Sequence, residues 1–136
     1  MALKTLNSQH SKGSIDDYEA NMNDLLNEAH LMTELKHPNL LRIVGVTFFG
    51  DSQKLSLVTD FMKNGSLLDY LRKHRENYLK WDSENLSTKL NNFTRQICEA
   101  MLYLEEKKTV HRDLAARNCL IGQGDILKVG DFGLSR

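Results

Sequence analysis

Two long stretches of the chain carry apolar residues at three- and four-residue steps, the spacing that predicts amphipathic helices. The first stretch is formed by Met22, Leu25, Leu26, Ala29, Met32 and Leu35. The second begins near Asp82 or Ser83 and is formed by Leu86, Leu90, Phe93, Ile97, Met101 and Leu104. We expect the first helix to end at His37-Pro38-Asn39, because the residue before a proline disfavours helical backbone angles.

Shorter runs of aliphatic and β-branched residues predict strands. They are Ala2–Leu6, followed by a polar stretch over 7–17; Leu40–Val46 and Leu55–Phe61, joined across Gly50-Asp51-Ser52; and Cys119–Ile121 and Ile126–Val129, joined as a small hairpin. Asn64-Gly65 breaks the pattern, and Ser66 is then a natural N-cap for a short helix, with Asp69 three residues later.

The order of these elements predicts an α+β fold with two parts. Residues 1–62 would form a mixed part of strands and one helix, and residues 63–136 would form a mostly helical part that ends in the hairpin. The sequence contains one proline and no internal repeat, so nothing in it indicates a flexible linker between independent domains. We therefore expect one partial domain over 1–136.

Composition excludes several classes of partner. Eighteen basic and eighteen acidic side chains cancel, so no bulk charge draws the chain to nucleic acid or to an anionic membrane. No apolar run approaches the roughly 20 residues that a membrane span needs. The two cysteines, Cys98 and Cys119, lack metal-ligand spacing and are expected to be reduced, which indicates a cytoplasmic protein.

Glu28 is the first residue that the periodic pattern does not explain. On a helical wheel it falls between Met32 and Leu35, inside the apolar arc. A buried carboxylate is costly unless a cation or a hydrogen-bond donor pairs with it, and Lys4 on the first strand is the obvious partner. The alternative is an edge position from which the carboxylate reaches water.

A second group of polar residues surrounds the predicted hairpin. His111–Asn118 precedes it and Asp131-Phe132-Gly133 follows it, so the hairpin can place Asn118 and Asp131 side by side. An amide oxygen and carboxylate oxygens suit a hard cation such as Mg²⁺, which takes phosphate oxygens as further ligands. Asp113, five residues before Asn118, would lie near the metal and could accept a proton from an attacking hydroxyl.

Taken together, these residues resemble the protein kinase family, and specifically its tyrosine kinase branch. His111–Asn118 reads HRDLAARN and Asp131–Gly133 reads DFG. Ala2-Leu3-Lys4 is similar to the lysine-bearing strand that follows the family's glycine-rich loop, and Glu28 holds the place of the glutamate on the family's helix αC. The four landmarks occur in the family's order across essentially the whole chain.

The resemblance implies a partial bilobal kinase fold, containing the family's third to fifth strands with helix αC and then the first helices and the catalytic loop of the second lobe. It also implies a role for each matching residue. Lys4 would hold the α- and β-phosphates of ATP, and Glu28 would hold Lys4. Asp113 would be the catalytic base, and Asn118 and Asp131 would bind Mg²⁺.

Further matching positions imply an adenine site and a regulatory core. Ala2 and Leu120 would sandwich the adenine ring, and Thr59 would be the gatekeeper. The hinge whose backbone binds the adenine edge would be formed by Asp60, Phe61 and Met62. The hydrophobic spine of the active arrangement would be formed by Met32, Ile43, His111 and Phe132.

The catalytic loop also implies the substrate class. Serine/threonine kinases generally place a lysine two residues after the catalytic aspartate, whereas this chain has Ala115 there and a cation at Arg117. That arrangement resembles most tyrosine kinases, so protein tyrosine residues are the expected substrates. The surrounding sequence is similar to non-receptor enzymes of the activated Cdc42-associated, Abl and Fes types, and does not separate a receptor from a non-receptor parent.

Two other functional interpretations stay open at this point. The family's glycine-rich loop and its APE motif are not among these 136 residues, so we expect the chain alone to be inactive and its second helix to be incompletely covered. A truncated product of this kind could be a decoy that binds kinase partners, or could have no function alone. A small-molecule phosphotransferase is disfavoured, because LAARN is not its pattern.

Overall fold

The computed structural model describes residues 1–5, 15–50 and 54–132. They form two compact units that are interleaved along the chain. Met1–Lys36 and Arg42–Phe61 form the first unit, and His37–Leu41 joins Met62–Arg136 in the second. Strands and helices occur in both units, which confirms the predicted α+β class.

The first unit is a three-stranded antiparallel sheet with one long helix. Strands β1 (Ala2–Thr5), β2 (Ile43–Phe49) and β3 (Lys54–Thr59) lie in the order β1-β3-β2. Helix α1 (Ile15–Glu34) contacts β2 and β3 through its predicted apolar face. The buried core of this unit contains Leu25, Ala29, Met32, Leu35, Leu55 and Leu57.

Several boundaries differ from the sequence predictions. α1 begins at Ile15, inside the stretch predicted to be polar coil. β3 ends at Thr59 instead of Phe61, although the backbone N–H of Asp60 still donates to the carbonyl of Arg42, 3.1 Å away. Leu6 and most of the polar stretch, and Asp51-Ser52 of the predicted turn, lie outside the described residues.

The largest boundary error concerns the strand predicted over 40–46. β2 begins at Ile43, and the two leucines before it belong to the second unit. Leu40 forms a parallel bridge with Val129, and the N–H of Leu41 donates to the carbonyl of Val129 at 2.8 Å. Leu40 and Leu41 are buried, and aliphatic composition could not show that their neighbour is a strand far along the chain.

The second unit contains three helices and a hairpin. Helix α2 spans Leu67–Lys73, α3 spans Arg75–Tyr78 and α4 spans Ser83–Glu106; strands β4 (Cys119–Ile121) and β5 (Leu127–Val129) pair antiparallel around a 3₁₀ turn at Gln123–Asp125. The N-cap predicted at Ser66 and the helix start predicted near Asp82 or Ser83 are both confirmed. Ser66 Oγ accepts from the N–H of Asp69, and Asp82 Oδ1 accepts from the N–H of Asn85.

Helix α4 buries a line of side chains that overlaps the predicted apolar stripe without coinciding with it. Phe93 and Leu104 are buried as expected, but Leu90 is 39% exposed. Gln96 and Ala100 complete the buried line. Polar and charged residues interrupt the apolar face, and within the described residues no helix is both long and apolar enough to cross a membrane.

A buried amide pair joins three segments of the second unit. Asn39 Nδ2 donates to Gln96 Oε1 and to the carbonyl of Leu127, at 2.9 Å each. Gln96 Oε1 also accepts from the N–H of Leu127 at 2.7 Å, and Gln96 Nε2 donates to the carbonyl of Asp125 at 3.0 Å. Among the described residues every buried side-chain nitrogen or oxygen has a hydrogen-bond partner. Segment 37–41, helix α4 and the hairpin are thereby fixed to one another.

Asp125, in the hairpin turn, adopts a left-handed backbone conformation with φ 60°, which is unfavourable for a residue with a side chain. Its carboxylate accepts hydrogen bonds from Lys89 on α4 and from Tyr70 on α2, and its carbonyl accepts from Gln96. These contacts stabilise the strained turn and hold the hairpin against both helices.

We predict that Asn39→Ala lowers the free energy of unfolding by about 1–3 kcal/mol, because it leaves the buried acceptors at Gln96 and Leu127 without this donor. Urea unfolding followed by circular dichroism measures the change. Asn91→Ala is the matched control, since Asn91 lies exposed on α4 and its amide bonds the neighbouring Ser87. Equal effects of the two substitutions would contradict a stabilising role of the Asn39 amide.

Candidate active site

The loop between α4 and β4 brings three predicted site residues into direct contact. Asn118 Nδ2 donates to both the carbonyl oxygen and the Oδ2 atom of Asp113, at 2.8 Å each. Arg117 Nη2 donates to the other carboxylate oxygen, Oδ1. Asp113 is therefore held from both sides, while its side chain remains partly exposed.

These contacts favour the ionised form of Asp113. The hydrogen bond from Asn118 is the largest cause that lowers the pKa of the Asp113 carboxyl, and the hydrogen bond from Arg117 is the next. The carboxylate is thus charged throughout the neutral range. An ionised, partly exposed carboxylate in a fixed orientation can accept a proton from a neighbouring hydroxyl.

His111 links the start of this loop to the residue that precedes Asp131. Its Nδ1 accepts from the N–H of Asp113 at 3.3 Å, and its Nε2 lies 2.9 Å from the carbonyl oxygen of Gly130. Since Nδ1 is an acceptor and Nε2 faces an acceptor, the bonding pattern places a ring proton on Nε2. The buried ring also contacts Phe132, with centroids 5.1 Å apart.

The backbone brings the two predicted metal ligands to neighbouring positions. The N–H of Gly130 donates to the carbonyl of Asn118 at 2.9 Å, so Asp131 follows a residue that is bonded directly to Asn118. Asp131 itself has φ 62°, and Arg112 in the catalytic loop has φ 67°. Left-handed conformations at residues with side chains cluster at functional sites, where surrounding contacts maintain them.

The chemistry of these donors fits Mg²⁺. Because the amide nitrogen of Asn118 faces two acceptors on Asp113, the oxygen is the atom that the amide can present to a cation. Asp131 supplies carboxylate oxygens, and Mg²⁺ commonly takes one or two protein ligands together with phosphate oxygens. The described residues contain no cluster of three or more His, Cys, Asp or Glu side chains, so a fully protein-ligated metal centre is not found there.

The first unit contains the other predicted site residues. Ala2 on β1 is paired directly with Thr59 on β3, and the backbone of Lys4 is paired with Leu57. Glu28 on α1 is buried, at 6% exposure, which excludes the alternative in which its carboxylate reaches water from an edge. The Lys4 side chain lies outside the described part of the structure, so its pairing with Glu28 stays a prediction.

The predicted hinge is divided between the two units. Asp60 accepts from Arg42 at 2.9 Å in the first unit, and Phe61 is largely exposed. Met62 belongs to the second unit, where its side chain lies against Gly122 at the end of β4. Leu120 is on β4, and the adenine sandwich predicted for Ala2 and Leu120 is not tested.

Comparison with known proteins assigns the family. Residues 1–136 match the protein tyrosine and serine/threonine kinase family. The chain belongs to this family. It is 46% identical over 114 residues to the human tyrosine-protein kinase ABL2 and 43% identical over 113 residues to the Drosophila melanogaster tyrosine-protein kinase Btk, in each case covering 83% of the chain. It is 40% identical over all 136 residues to the Caenorhabditis elegans tyrosine-protein kinase csk-1.

The matched region is a small part of each relative. It spans 9% of ABL2, 14% of Btk and 22% of csk-1. The similarity therefore establishes the kinase family of the chain, while the activity and the substrates of the whole protein are matters for proposal.

Sequence reasoning missed several residues that position the candidate site. The buried amides of Asn39 and Gln96 and the glycine at position 130 were not singled out. The buried network could have been indicated by a polar residue on the apolar face of a predicted helix. Gln96, between Phe93 and Ala100, is such a residue. No comparable signal marks Gly130, whose importance depends on a residue distant in sequence.

We predict that removing either donor raises the pKa of Asp113, with Asn118→Ala having the larger effect and Arg117→Ala the smaller. A carboxyl whose folded pKa is lowered stabilises the fold above its unfolded pKa, and this contribution is lost as the pH falls through the folded pKa. Carbon-13 NMR titration of the Asp113 carboxyl measures both shifts. An unchanged titration in both variants would show that neither donor controls the charge of Asp113.

Proposed function

We propose that the protein is a protein tyrosine kinase that transfers the γ-phosphate of ATP to tyrosine hydroxyls. The observation that carries this proposal is the arrangement at Asp113, whose carboxylate is held ionised by Asn118 and Arg117. The backbone of the same Asn118 is bonded to the residue that precedes Asp131. A proton acceptor and a pair of metal ligands thus share one scaffold.

Asp113 acts as the base in this proposal. Its position in HRDLAARN and its partly exposed carboxylate suit acceptance of the tyrosine hydroxyl proton as the hydroxyl attacks phosphorus. Asn118 orients this carboxylate through the side-chain bond to Oδ2. His111 orients the backbone of Asp113 through the bond to its N–H.

Asn118 and Asp131 are proposed to hold Mg²⁺ together with the phosphates of ATP. When bound, Mg²⁺ neutralises phosphate charge and fixes the geometry of the phosphates. Lys4 is proposed to contact the α- and β-phosphates, and Glu28 to hold Lys4. A buried carboxylate such as Glu28 requires a partner of this kind or an equivalent hydrogen-bond donor.

Arg117 supports tyrosine as the accepting residue. The chain has Ala115 two residues after Asp113, and the cation instead approaches from position 117, where the structure shows it bonded to the carboxylate. A phenolic hydroxyl stands further from its backbone than a serine hydroxyl, so a cation placed further along the loop can stabilise charge on the transferring phosphate.

The remaining nucleotide contacts are proposed from position in the fold. Ala2 and Leu120 would cover the two faces of adenine, Thr59 would border the pocket, and Asp60 and Met62 would present hinge backbone groups. We assign this activity to the cytoplasm, where ATP is available and cysteines stay reduced, consistent with Cys98 and Cys119 both being free.

We predict that Asp113→Asn in the full-length protein lowers the turnover of a tyrosine peptide by about 10²–10⁴-fold, because a positioned base contributes about that factor. ATP affinity should change little, since Asp113 is not proposed as a ligand of the metal or the nucleotide. Steady-state phosphorylation and titration with a fluorescent ATP analogue measure the two effects. Glu106→Gln, at an exposed carboxylate on α4, is the control for loss of one negative charge.

Turnover within a few-fold of the unsubstituted protein would remove Asp113 from the role of base. Absence of peptide phosphorylation in the unsubstituted full-length protein, with ATP bound normally, would favour the decoy interpretation. The two outcomes are distinguishable because the first requires an active enzyme and the second an inactive one.

We also predict that Asp131→Ala removes the Mg²⁺ dependence of nucleotide binding, because the carboxylate is the charged member of the proposed ligand pair. Titration of the fluorescent ATP analogue with and without Mg²⁺ measures this. Lys4→Met should instead weaken nucleotide binding while a response to Mg²⁺ remains. A full Mg²⁺ response in the Asp131→Ala protein would contradict the ligand assignment.

A further inference from the structure

Gly130 occupies a position where a side chain would not fit without displacement. A Cβ atom added there would lie 3.1 Å from Leu41 Cδ2 and 3.3 Å from Leu41 Cβ. Contacts this short require one of the two residues to move by a few tenths of an ångström. Gly130 does not have a positive φ, so its backbone conformation is open to any residue. What restricts the choice of residue at this position is the space available for a side chain.

The backbone of Gly130 is fixed at both of its polar groups. Its N–H donates to the carbonyl of Asn118, and its carbonyl oxygen lies 2.9 Å from His111 Nε2. Both partners belong to the catalytic loop, and the next residue is Asp131. A displacement of Gly130 therefore changes the path of the backbone between the two proposed metal ligands.

Leu41 is restrained on the opposite side. Its N–H donates to the carbonyl of Val129 at 2.8 Å, and its neighbour Leu40 bridges to the same residue. Asn39, two residues earlier, is held by the N–H of Val129 and by the buried amide of Gln96. Because the backbone of Leu41 is bonded to the strand that leads into Gly130, it cannot withdraw as a unit to make room.

We propose that Leu41 is a positioning residue for Asp131: its side chain fills the space beside Gly130 and so limits that position to glycine. The size of residue 41 and the size of residue 130 are then coupled, and a larger residue at 130 is accepted when residue 41 is smaller. This inference rests on the proposed function, because the readout is the Mg²⁺ site that Asp131 would form.

The experiment is a double-mutant cycle in the full-length protein. Gly130→Ala should raise the Mg²⁺ concentration needed for half-maximal binding of a fluorescent ATP analogue by about tenfold, since overpacking shifts the backbone and small misplacements at a reacting centre are costly. Leu41→Val removes the Cδ2 atom that makes the closest contact. The double variant should return to within about threefold of the unsubstituted protein.

Two controls separate positioning from general destabilisation. Gly45→Ala adds the same methyl group on β2, where no atom lies within 4 Å of the added Cβ, and should leave the Mg²⁺ dependence unchanged. Leu41→Val alone should lower the melting temperature modestly, through lost burial, and should raise the Mg²⁺ concentration for half-maximal binding less than Gly130→Ala does, because it opens space beside Gly130 without forcing the backbone to move. A purely structural role would change melting temperatures without the selective rescue.

The proposal is overturned if Gly130→Ala shows the Mg²⁺ dependence of the unsubstituted protein, or if Leu41→Val fails to restore it. If Gly130→Ala does not fold, the protein with both substitutions is the test. The proposal requires that this double variant folds and shows normal Mg²⁺ dependence, and it is overturned if the double variant fails in either respect. Failure of the proposed function looks different, because Asp131→Ala would then keep its full Mg²⁺ response regardless of residues 41 and 130.

Discussion

The hydrogen bonds between the side-chain amides of Asn39 and Gln96 are the constraint on which the second unit depends. Gln96 lies on the buried face of α4, Asn39 lies in the short segment after α1, and both bond the backbone of Leu127. Neutral amides suit this position, because they satisfy buried backbone groups without the desolvation penalty that a buried ion pair carries. If one amide lost its partner, the buried polar group left behind would destabilise the fold more than an apolar contact would. Substitutions of the two amides are therefore expected to have coupled effects on stability.

The geometry of the candidate active site follows from this anchor through consecutive backbone bonds. Asn39 and Leu41 pair with Val129, Gly130 pairs with Asn118 and with His111, and Asp131 comes next. The charged side chains lie next to this series: Asn118 and Arg117 both donate hydrogen bonds to the carboxylate of Asp113. Buried hydrogen bonds between neutral groups thus fix the backbone, whereas the ionised side chains of Asp113 and Arg117 are partly exposed to solvent.

The sequence predicted the elements and the chemical residues well, because both depend on local patterns. Periodicity predicted α1 and α4, the cap at Ser66 and the start of α4 near Asp82 were correct, and Glu28 was singled out by its place in an apolar arc. The errors concern residues whose environment is set by distant partners. Leu40 and Leu41 were assigned to a strand of the sheet, but their partner is Val129. Gln96 drew no prediction, and its partners are Asn39 and the hairpin. Periodicity contains no information about such pairings.

The interleaving of the two units has a consequence for how the chain can be divided and made. Residues 37–41 fold with the second unit although elements of the first precede and follow them, so no single cut yields both units intact. A fragment starting at Met62 would lack Asn39, which bonds both Gln96 and Val129. During synthesis Asn39 leaves the ribosome 88 residues before Leu127, its bonding partner. Contacts of such long sequence separation slow folding, and this one can close only when almost the whole described chain has been made.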